Sequence, residues 1–143
     1  MCDINSITDN ALGSLVIASN ALRKLNLRRC ANLVSPSILS PTVKEISLEN
    51  SAALQNLVLD CPKLVALDLS SASVTEDMIE DIGRSCPSLK YLYLNKCSTL
   101  TSLKINSSSI VHLELKSNDS LENLSLICSE LRELYMVWIG VCE

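Results

Sequence analysis

The stretch that decides the fold is Leu22-Arg23-Lys24-Leu25-Asn26-Leu27-Arg28-Arg29-Cys30, with leucine at its first, fourth and sixth positions and cysteine at its ninth. The same phrase returns as Leu89-Lys90-Tyr91-Leu92-Tyr93-Leu94-Asn95-Lys96-Cys97. Weaker copies begin at Val43, Leu64, Ile110 and Leu131. One copy would be weak evidence, because half-buried strands often alternate apolar and polar residues. Six copies in a fixed register indicate a repeated strand.

The spacing of the copies indicates a solenoid. Their first apolar residues are 21, 21, 25, 21 and 21 residues apart, and most units carry a second apolar phrase such as Leu54/Leu57/Leu59. Units of roughly 20–29 residues with an L-x-x-L-x-L-x-x-C strand are typical of leucine-rich repeats. The sequence therefore predicts an α/β fold, a right-handed leucine-rich-repeat solenoid with a parallel β-sheet on the concave face and short strands on the convex face.

A longer period contains the repeat. A shift of 67 residues maps the chain onto itself without a gap, so that Leu22 and Cys30 land on Leu89 and Cys97. We interpret residues 1–143 as one leucine-rich-repeat domain of about six coils in two such blocks. Because solenoids need capped ends and the last copy degrades, we expect the chain to be a piece of a longer repeat array.

Two helices complete the predicted fold, at about residues 8–18 and 75–83. The helical spacing predicts that the first helix buries Ile7, Ala11, Leu15 and Ala18, with Leu12 beside them. Gly83 is expected to cap the second helix at its C-terminus. Since Pro36 cannot donate to a ladder, we expect a poor or absent convex strand beside it.

Composition narrows the classes of function. Hydrophobic residues make up 48% of the chain and aromatic residues 3%, which fits a narrow aliphatic core. A net charge of −4 with both signs interspersed argues against a nucleic-acid or anionic-membrane partner. No apolar run approaches the roughly 18 residues of a membrane span. The seven cysteines largely follow the repeat, so we expect reduced thiols in a nuclear or cytoplasmic protein.

The concave strands supply the candidate site. Residues between and after the inward leucines point to solvent. We expect the following of them to bind a protein partner: Lys24, Asn26, Arg28, Glu45, Asp68, Tyr91, Tyr93, Asn95, His112, Glu114 and Tyr135. All three tyrosines of the chain are among them; tyrosine is enriched at interfaces, although it also suits exposed strand positions. The ladder spacing also places Arg28 beside Glu49.

Enzymatic chemistry has little support. His112 is the only histidine, and we expect a solvated surface side chain. The cysteine spacings follow the repeat and not the spacing of zinc ligands, and there is no Gly-rich phosphate loop. We therefore predict a non-catalytic protein without a metal site or cofactor.

The repeat resembles that of a known family. Cys86-Pro87-Ser88-Leu89-Lys90-Tyr91-Leu92-Tyr93-Leu94-Asn95-Lys96-Cys97, preceded by Val74-Thr75-Glu76-Asp77, resembles the cysteine-containing repeat of F-box/leucine-rich-repeat proteins, of a plant-like type. The resemblance implies the substrate-recognition part of an SCF-type (F-box) E3 ubiquitin ligase, which acts in ubiquitin-dependent protein degradation and holds its protein substrate on the concave face. A Skp-type adaptor would bind only through an F-box, which we expect to be absent from these 143 residues. A stand-alone repeat scaffold or signalling adaptor, unrelated to ubiquitination, remains the alternative.

Overall fold

Short strands and two helices alternate along residues 6–137, the part of the chain that the computed structural model describes. In chain order the elements are α1 Asp9–Ala18, β1 Lys24–Asn26, β2 Ser37–Leu39, β3 Glu45–Ser47, β4 Val58–Asp60, β5 Ala66–Asp68, α2 Glu76–Ser85, β6 Tyr91–Tyr93, β7 Ser102–Ser107, β8 His112–Glu114, β9 Asn123–Cys128 and β10 Glu133–Tyr135. They form a solenoid in which each coil contributes one strand to a single sheet on the concave side.

The concave sheet has six parallel strands, one from each copy of the leucine phrase, in the order β1-β3-β5-β6-β8-β10. The register is the same throughout: Lys24 lies opposite Glu45, and Tyr91 lies opposite His112. The central residue of each strand points to the core, and it is buried in all but the last: Leu25, Ile46, Leu67, Leu92, Leu113 and Leu134. The predicted leucine-rich-repeat solenoid with a parallel concave sheet is confirmed.

The convex layer joins helices and short strands in one row. α1 packs on β2, which pairs with β4, while α2 packs between β4 and β7, which pairs with β9. Asp9 begins α1 and Glu76 begins α2, a separation of 67 residues that equals the internal shift of the sequence. Each block therefore presents a helix followed by two strands on its convex side.

The convex strand after Pro36 forms, so it is not absent, but it is short as expected: it has three residues, whereas the equivalent strand β7 of the second block has six. Ser37 to Leu39 pair in parallel with Val58 to Asp60. Pro36 stands just before β2, where its carbonyl oxygen accepts a hydrogen bond from the Val58 N–H at 3.0 Å. Proline lacks a donor but keeps its acceptor, so the ladder can start on its carbonyl.

Threonine caps both helices. The Oγ1 atoms of Thr8 and Thr75 accept hydrogen bonds of 3.4 Å from the backbone N–H groups of Ala11 and Met78. Each cap satisfies one of the donors that a helix start leaves without a partner. Both helices have ten residues, and in residues 6–137 no helix has the length and apolarity needed to cross a bilayer.

Two details of the helices differ from prediction. α1 buries Leu12 and Val16, whereas Leu15 is 44% exposed, because the helix turns a different side of its mostly apolar surface towards β2. α2 continues through Gly83 to Ser85 and is capped at Cys86. Gly83 therefore lies inside the helix and does not end it.

Five coils within residues 6–137 turn at a residue in the left-handed conformation. These residues occupy one repeat position and have φ between 57° and 61°: Arg29, Asn50, Ser71, Lys96 and Ser117. The next position is buried and small: Cys30, Ser51, Ala72, Cys97 and Asn118. Asn118 donates from Nδ2 to the Leu94 carbonyl at 2.8 Å and accepts from the Cys97 N–H at 2.7 Å. Its side chain thus ties two successive coils together through buried backbone groups.

Candidate partner-binding face

The predicted binding residues lie on the concave strands or, for Arg28 and Asn95, two residues beyond a strand end. The structure divides them into two groups. Lys24, Asn26, Arg28 and Glu45 lie at the β1/β3 end of the sheet, and the tyrosines, Asn95, His112 and Glu114 lie at the β6/β8/β10 end. Asp68 lies between the two groups on β5.

Ion pairs between neighbouring strands define the first group. Lys24 Nζ lies 2.9 Å from Glu45 Oε2, with both side chains well exposed. Arg28 forms an ion pair with Glu49 on the next coil, which confirms their predicted neighbourhood. Exposed pairs of this kind contribute roughly 0–1 kcal/mol, so these side chains remain available to a partner.

Asn26 and Asp68 occupy the same repeat position and stabilise the turns that follow them. Asn26 Oδ1 accepts a hydrogen bond from the Arg28 N–H at 3.3 Å, and Asp68 Oδ1 accepts one from the Ser70 N–H at 3.0 Å. Short polar side chains commonly bond the backbone two residues ahead in this way. Each of these side chains therefore stabilises a turn, and it also lies on the concave face.

A depression of about 190 Å³ separates the two groups. It lies at Ala66, the β5 residue that is paired with Glu45 of β3 on one side and with Tyr91 of β6 on the other. Since alanine has no side chain beyond Cβ, the surface falls between its larger neighbours. The polar and aromatic residues around the depression are Lys24, Glu45, Ser47, Asp68 and Tyr93.

The second group is centred on His112. We call it the His112 cluster, and it comprises His112, Tyr91, Tyr93, Tyr135, Glu114 and Glu133. The three tyrosine rings surround the imidazole with centroid distances of 5.9, 5.3 and 5.2 Å, respectively. The His112 side chain is only 12% exposed. The expectation of a solvated histidine is therefore wrong, because all three tyrosines fold their rings over it.

Both imidazole nitrogens face carboxylates. Nδ1 of His112 lies 2.6 Å from Oε2 of Glu133, and Nε2 lies 3.2 Å from Oε1 of Glu114. A neutral imidazole can donate to one of these oxygens, and a protonated imidazole can donate to both. The two contacts fix the ring plane, and with it the positions of the tyrosines that pack against it.

Glu114 is the most heavily hydrogen-bonded carboxylate of the face. Its Oε2 accepts from Asn95 Nδ2 at 2.9 Å and from Lys116 Nζ at 3.1 Å. Burial alone would raise the pKa of Glu114, but hydrogen bonds from Asn95, Lys116 and His112, with the Lys116 charge, outweigh it and lower the pKa. Lys116 Nζ also lies 4.9 Å from the centroid of the Tyr135 ring, within range of a cation–π contact.

Tyr93 connects the His112 cluster to the depression over Ala66. Burial, followed by the nearby charges of Glu114 and Asp68, raises the pKa of its hydroxyl. The hydroxyl is therefore protonated at neutral pH and can both donate and accept a hydrogen bond. Such a group can bind a partner's backbone or polar side chain while the ring packs on apolar atoms.

Three contributors to this face were absent from the predicted site: Glu49, Lys116 and Glu133. Each occupies the same position in its repeat as one of the predicted residues and lies beside it on the concave face. Spacing by 21 residues from Arg28, Asn95 and His112 identifies them. The repeat spacing gives their positions but does not specify which atoms their side chains contact.

The buried cysteines have a structural role. Cys30, Cys61, Cys86 and Cys97 are buried. Burial raises the pKa of Cys61 and of Cys97 to about 11, so neither is a thiolate at neutral pH. Among residues 6–137 no cluster of three or more metal-binding side chains is present.

Comparison with known proteins agrees with this fold. Over 130 residues the sequence is 24% identical to F-box/LRR-repeat protein 17 of Arabidopsis thaliana. The chain is similar to an F-box/leucine-rich-repeat protein. This confirms the resemblance seen in the repeat motif. The match covers 87% of this chain but only 21% of that protein's length.

No family model matches the sequence, and no solved structure matches the fold. The relative and the solenoid support a protein-interaction leucine-rich-repeat module, and they point to a module without catalysis of its own. The role of the individual concave residues in binding stays a prediction.

Proposed function

We propose that the chain recognises a protein substrate for an SCF-type ubiquitin ligase and that the concave face is its substrate-binding surface. The observation that carries this proposal is the His112 cluster, in which Tyr91 and Tyr135 remain 40% and 43% exposed beside a fixed imidazole. Tyrosine combines apolar area with a polar tip and loses little conformational freedom on binding. Three tyrosines held by one histidine form a preorganised aromatic anchor point.

The rest of the face supplies the polar rim that such an anchor needs. The Lys24–Glu45 pair borders the depression over Ala66, and Asp68 lies inside it. A small side chain of the substrate would enter the depression, while its flanking polar groups would meet these charges. The tyrosines would cover an apolar segment of the same substrate.

The ubiquitin-ligase part of the proposal is supported by the relative, whose name includes an F-box. In this arrangement a Skp-type adaptor would bind an F-box, and the repeats would bind the substrate. The adaptor and the substrate would not compete for the concave face. Such a receptor would work in the nucleus or the cytoplasm, where substrates are ubiquitinated.

A degradation assay separates this proposal from a scaffold. Proteins captured by the 143-residue chain and lost on Tyr91→Ala/Tyr93→Ala/Tyr135→Ala would be followed in cells after protein synthesis is stopped. In a receptor for degradation, removing the gene lengthens the half-life of the captured protein, and restoring the wild-type but not the triple-variant gene shortens it again. An unchanged half-life, with capture intact, would contradict the ligase role and favour the scaffold.

A further inference from the structure

A second surface lies along the edge where the chain enters the concave strands. It is a groove of about 760 Å³ that crosses the coils of β3, β5, β6, β8 and β10. Four cations and one carboxylate line it: Lys44, Lys63, Lys90, Arg132 and Glu130. We call it the entry-edge groove. This positive groove belongs to a chain whose net charge is −4, so its charge is a local feature and not a consequence of composition.

The groove has a regular floor. From β3 onward, the residues just before the concave strands alternate between cation and valine, in the order Lys44, Val65, Lys90, Val111 and Arg132. β1 is preceded by a further cation, Arg23, which does not line the groove. Each of these backbones is tied to the next, because the N–H of each residue donates to the carbonyl of its predecessor at 2.8–2.9 Å. The cations therefore stand at every second step of a rigid ladder, with apolar side chains between them.

All four cations of the groove are exposed. Within residues 6–137, no ion pair involves Lys44, Lys63, Lys90 or Arg132. This differs from the concave face, where Lys24, Arg28 and Lys116 all pair with glutamates. A row of unpaired cations along one groove offers charge complementarity to an anionic partner.

The spacing of the cations specifies a ligand geometry. Parallel strands are about 4.8 Å apart, so Lys44, Lys90 and Arg132 are spaced by about 10 Å each. A polyproline II helix has three residues per turn and rises about 3.1 Å per residue, so every third residue points the same way at a spacing of about 9 Å. A β-strand instead sends residues i and i+3 to opposite sides.

We propose that the entry-edge groove binds an acidic peptide segment in the polyproline II conformation, with carboxylates at every third residue. Carboxylates at positions i, i+3 and i+6 would meet Lys44, Lys90 and Arg132. The intervening residues would pack on Val65, Val111 and the Tyr91 ring, as polyproline II ligands pack on aromatic-lined grooves. This binding does not depend on the proposed role of the concave face, with which the groove shares Tyr91.

The test is a titration of the 143-residue chain with labelled peptides at low ionic strength, followed by fluorescence anisotropy. One peptide carries glutamate at its first, fourth and seventh positions and proline elsewhere. A second has the same composition with three adjacent glutamates, and a short oligothymidylate carries an equal number of charges. The spaced peptide is expected to bind several-fold more tightly than either, and its affinity is expected to fall as salt is added.

Matched charge variants locate the site. Lys44→Gln/Lys90→Gln is expected to weaken binding of the spaced peptide about tenfold. Lys96→Gln/Lys104→Gln removes the same charge from exposed lysines outside the groove and is expected to leave binding unchanged. Equal affinity for the two peptides, tighter binding of the oligothymidylate, or equal losses in the two double variants would each overturn the proposal.

A further variant keeps the two proposals apart. Tyr93→Ala changes the concave face but not a lining residue of the groove. Spaced-peptide binding is expected to survive this substitution whether or not capture of a substrate does. Loss of peptide binding in Tyr93→Ala would contradict the assignment of the peptide to the entry-edge groove.

Discussion

The Nε2 atom of His112 lies 3.2 Å from Oε1 of Glu114, and this contact joins the aromatic part of the concave face to its charged part. On one side of it, three tyrosine rings pack on the imidazole. On the other side, Asn95 and Lys116 donate to the second carboxylate oxygen. The ionised carboxylate of Glu114 thus contacts His112 with one oxygen and Asn95 and Lys116 with the other.

The lowered pKa of Glu114 predicts a dependence of stability on pH. Because the folded-state pKa is below the unfolded value of about 4.3, ionised Glu114 adds stability above that value. The contribution is lost as pH falls through the folded-state pKa. Denaturant unfolding of the wild type and Glu114→Gln, measured from neutral to acidic pH, checks this. The wild type is expected to be the more stable at neutral pH, by a margin that shrinks on acidification. A margin that stays constant or grows would refute it.

Truncation of two neighbouring residues of β6 should lower stability by different amounts. Leu92 is 1% exposed in the core, so Leu92→Ala is expected to lower the free energy of unfolding by about 2–5 kcal/mol. Tyr93 lies on the concave face, and Tyr93→Ala is expected to cost about 0.5–1.5 kcal/mol through the lost ring contact. Chemical denaturation measures both. The reverse order would mean that the strand faces are assigned one residue out of register.

The buried amide of Asn118 should be needed for stability. Asn118→Ala leaves the Leu94 carbonyl and the Cys97 N–H without their partner, and we expect a loss of roughly 1–3 kcal/mol. Asn123→Ala, at an exposed position of β9, is the matched control and is expected to have a much smaller effect. Thermal and denaturant unfolding compare the two. Equal losses would show that the inter-coil hydrogen bonds of Asn118 add no more to the free energy of unfolding than the exposed side chain of Asn123 does.

Alanine in place of the helical glycines should stabilise the chain. A Cβ on Gly83 would lie 4.0 Å from the Asn106 carbonyl oxygen, and one on Gly13 would lie 3.9 Å from that of Ser37. Both are ordinary contact distances, and glycine inside a helix costs roughly 0.5–1 kcal/mol relative to alanine. Gly83→Ala and Gly13→Ala are each expected to raise the free energy of unfolding by about that amount. A decrease would mean that α1 or α2 packs more closely on the strand below it.

The strand register could be predicted because it depends on a pattern that repeats. Leu25 and Leu92 stand at the same place in their units, and the sheet has one pairing that keeps all such residues inside. That pairing also determines which exposed residues of neighbouring strands lie side by side, so the contact between Arg28 and Glu49 could be predicted from the sequence. The same logic placed all three tyrosines on one face.

The contacts between side chains on the concave face depend on side-chain torsion angles, which the repeat does not specify. Tyr91, Tyr93 and Tyr135 could each have extended into solvent, and their convergence on His112 follows from local packing. The burial of α1 was missed for a related reason. Its sequence is apolar on several sides, so periodicity alone does not choose between Leu15 and Val16.

Three of the five left-handed turn residues had no local sequence signal. Glycine would mark such a position, but Arg29, Ser71 and Lys96 adopt it without being glycine. Their conformation is held by hydrogen bonds to the next coil, since the N–H of Arg29 donates to the Glu49 carbonyl and that of Ser71 to the Asn95 carbonyl. Tertiary hydrogen bonds here outweigh the local preference of the residue.

The measurement that tests the central claim most directly is a pull-down from cell extract with two matched triple variants of the chain. One changes Tyr91, Tyr93 and Tyr135 on the concave face to alanine, and the other changes Leu39, Val58 and Lys104 on the convex face to alanine. Circular dichroism is used first to check that both variants fold like the wild type. We expect a protein captured by the wild type and the convex variant to be lost with the concave variant. Capture that survives in the concave variant, or that is lost equally in both, would contradict a recognition role for the concave face.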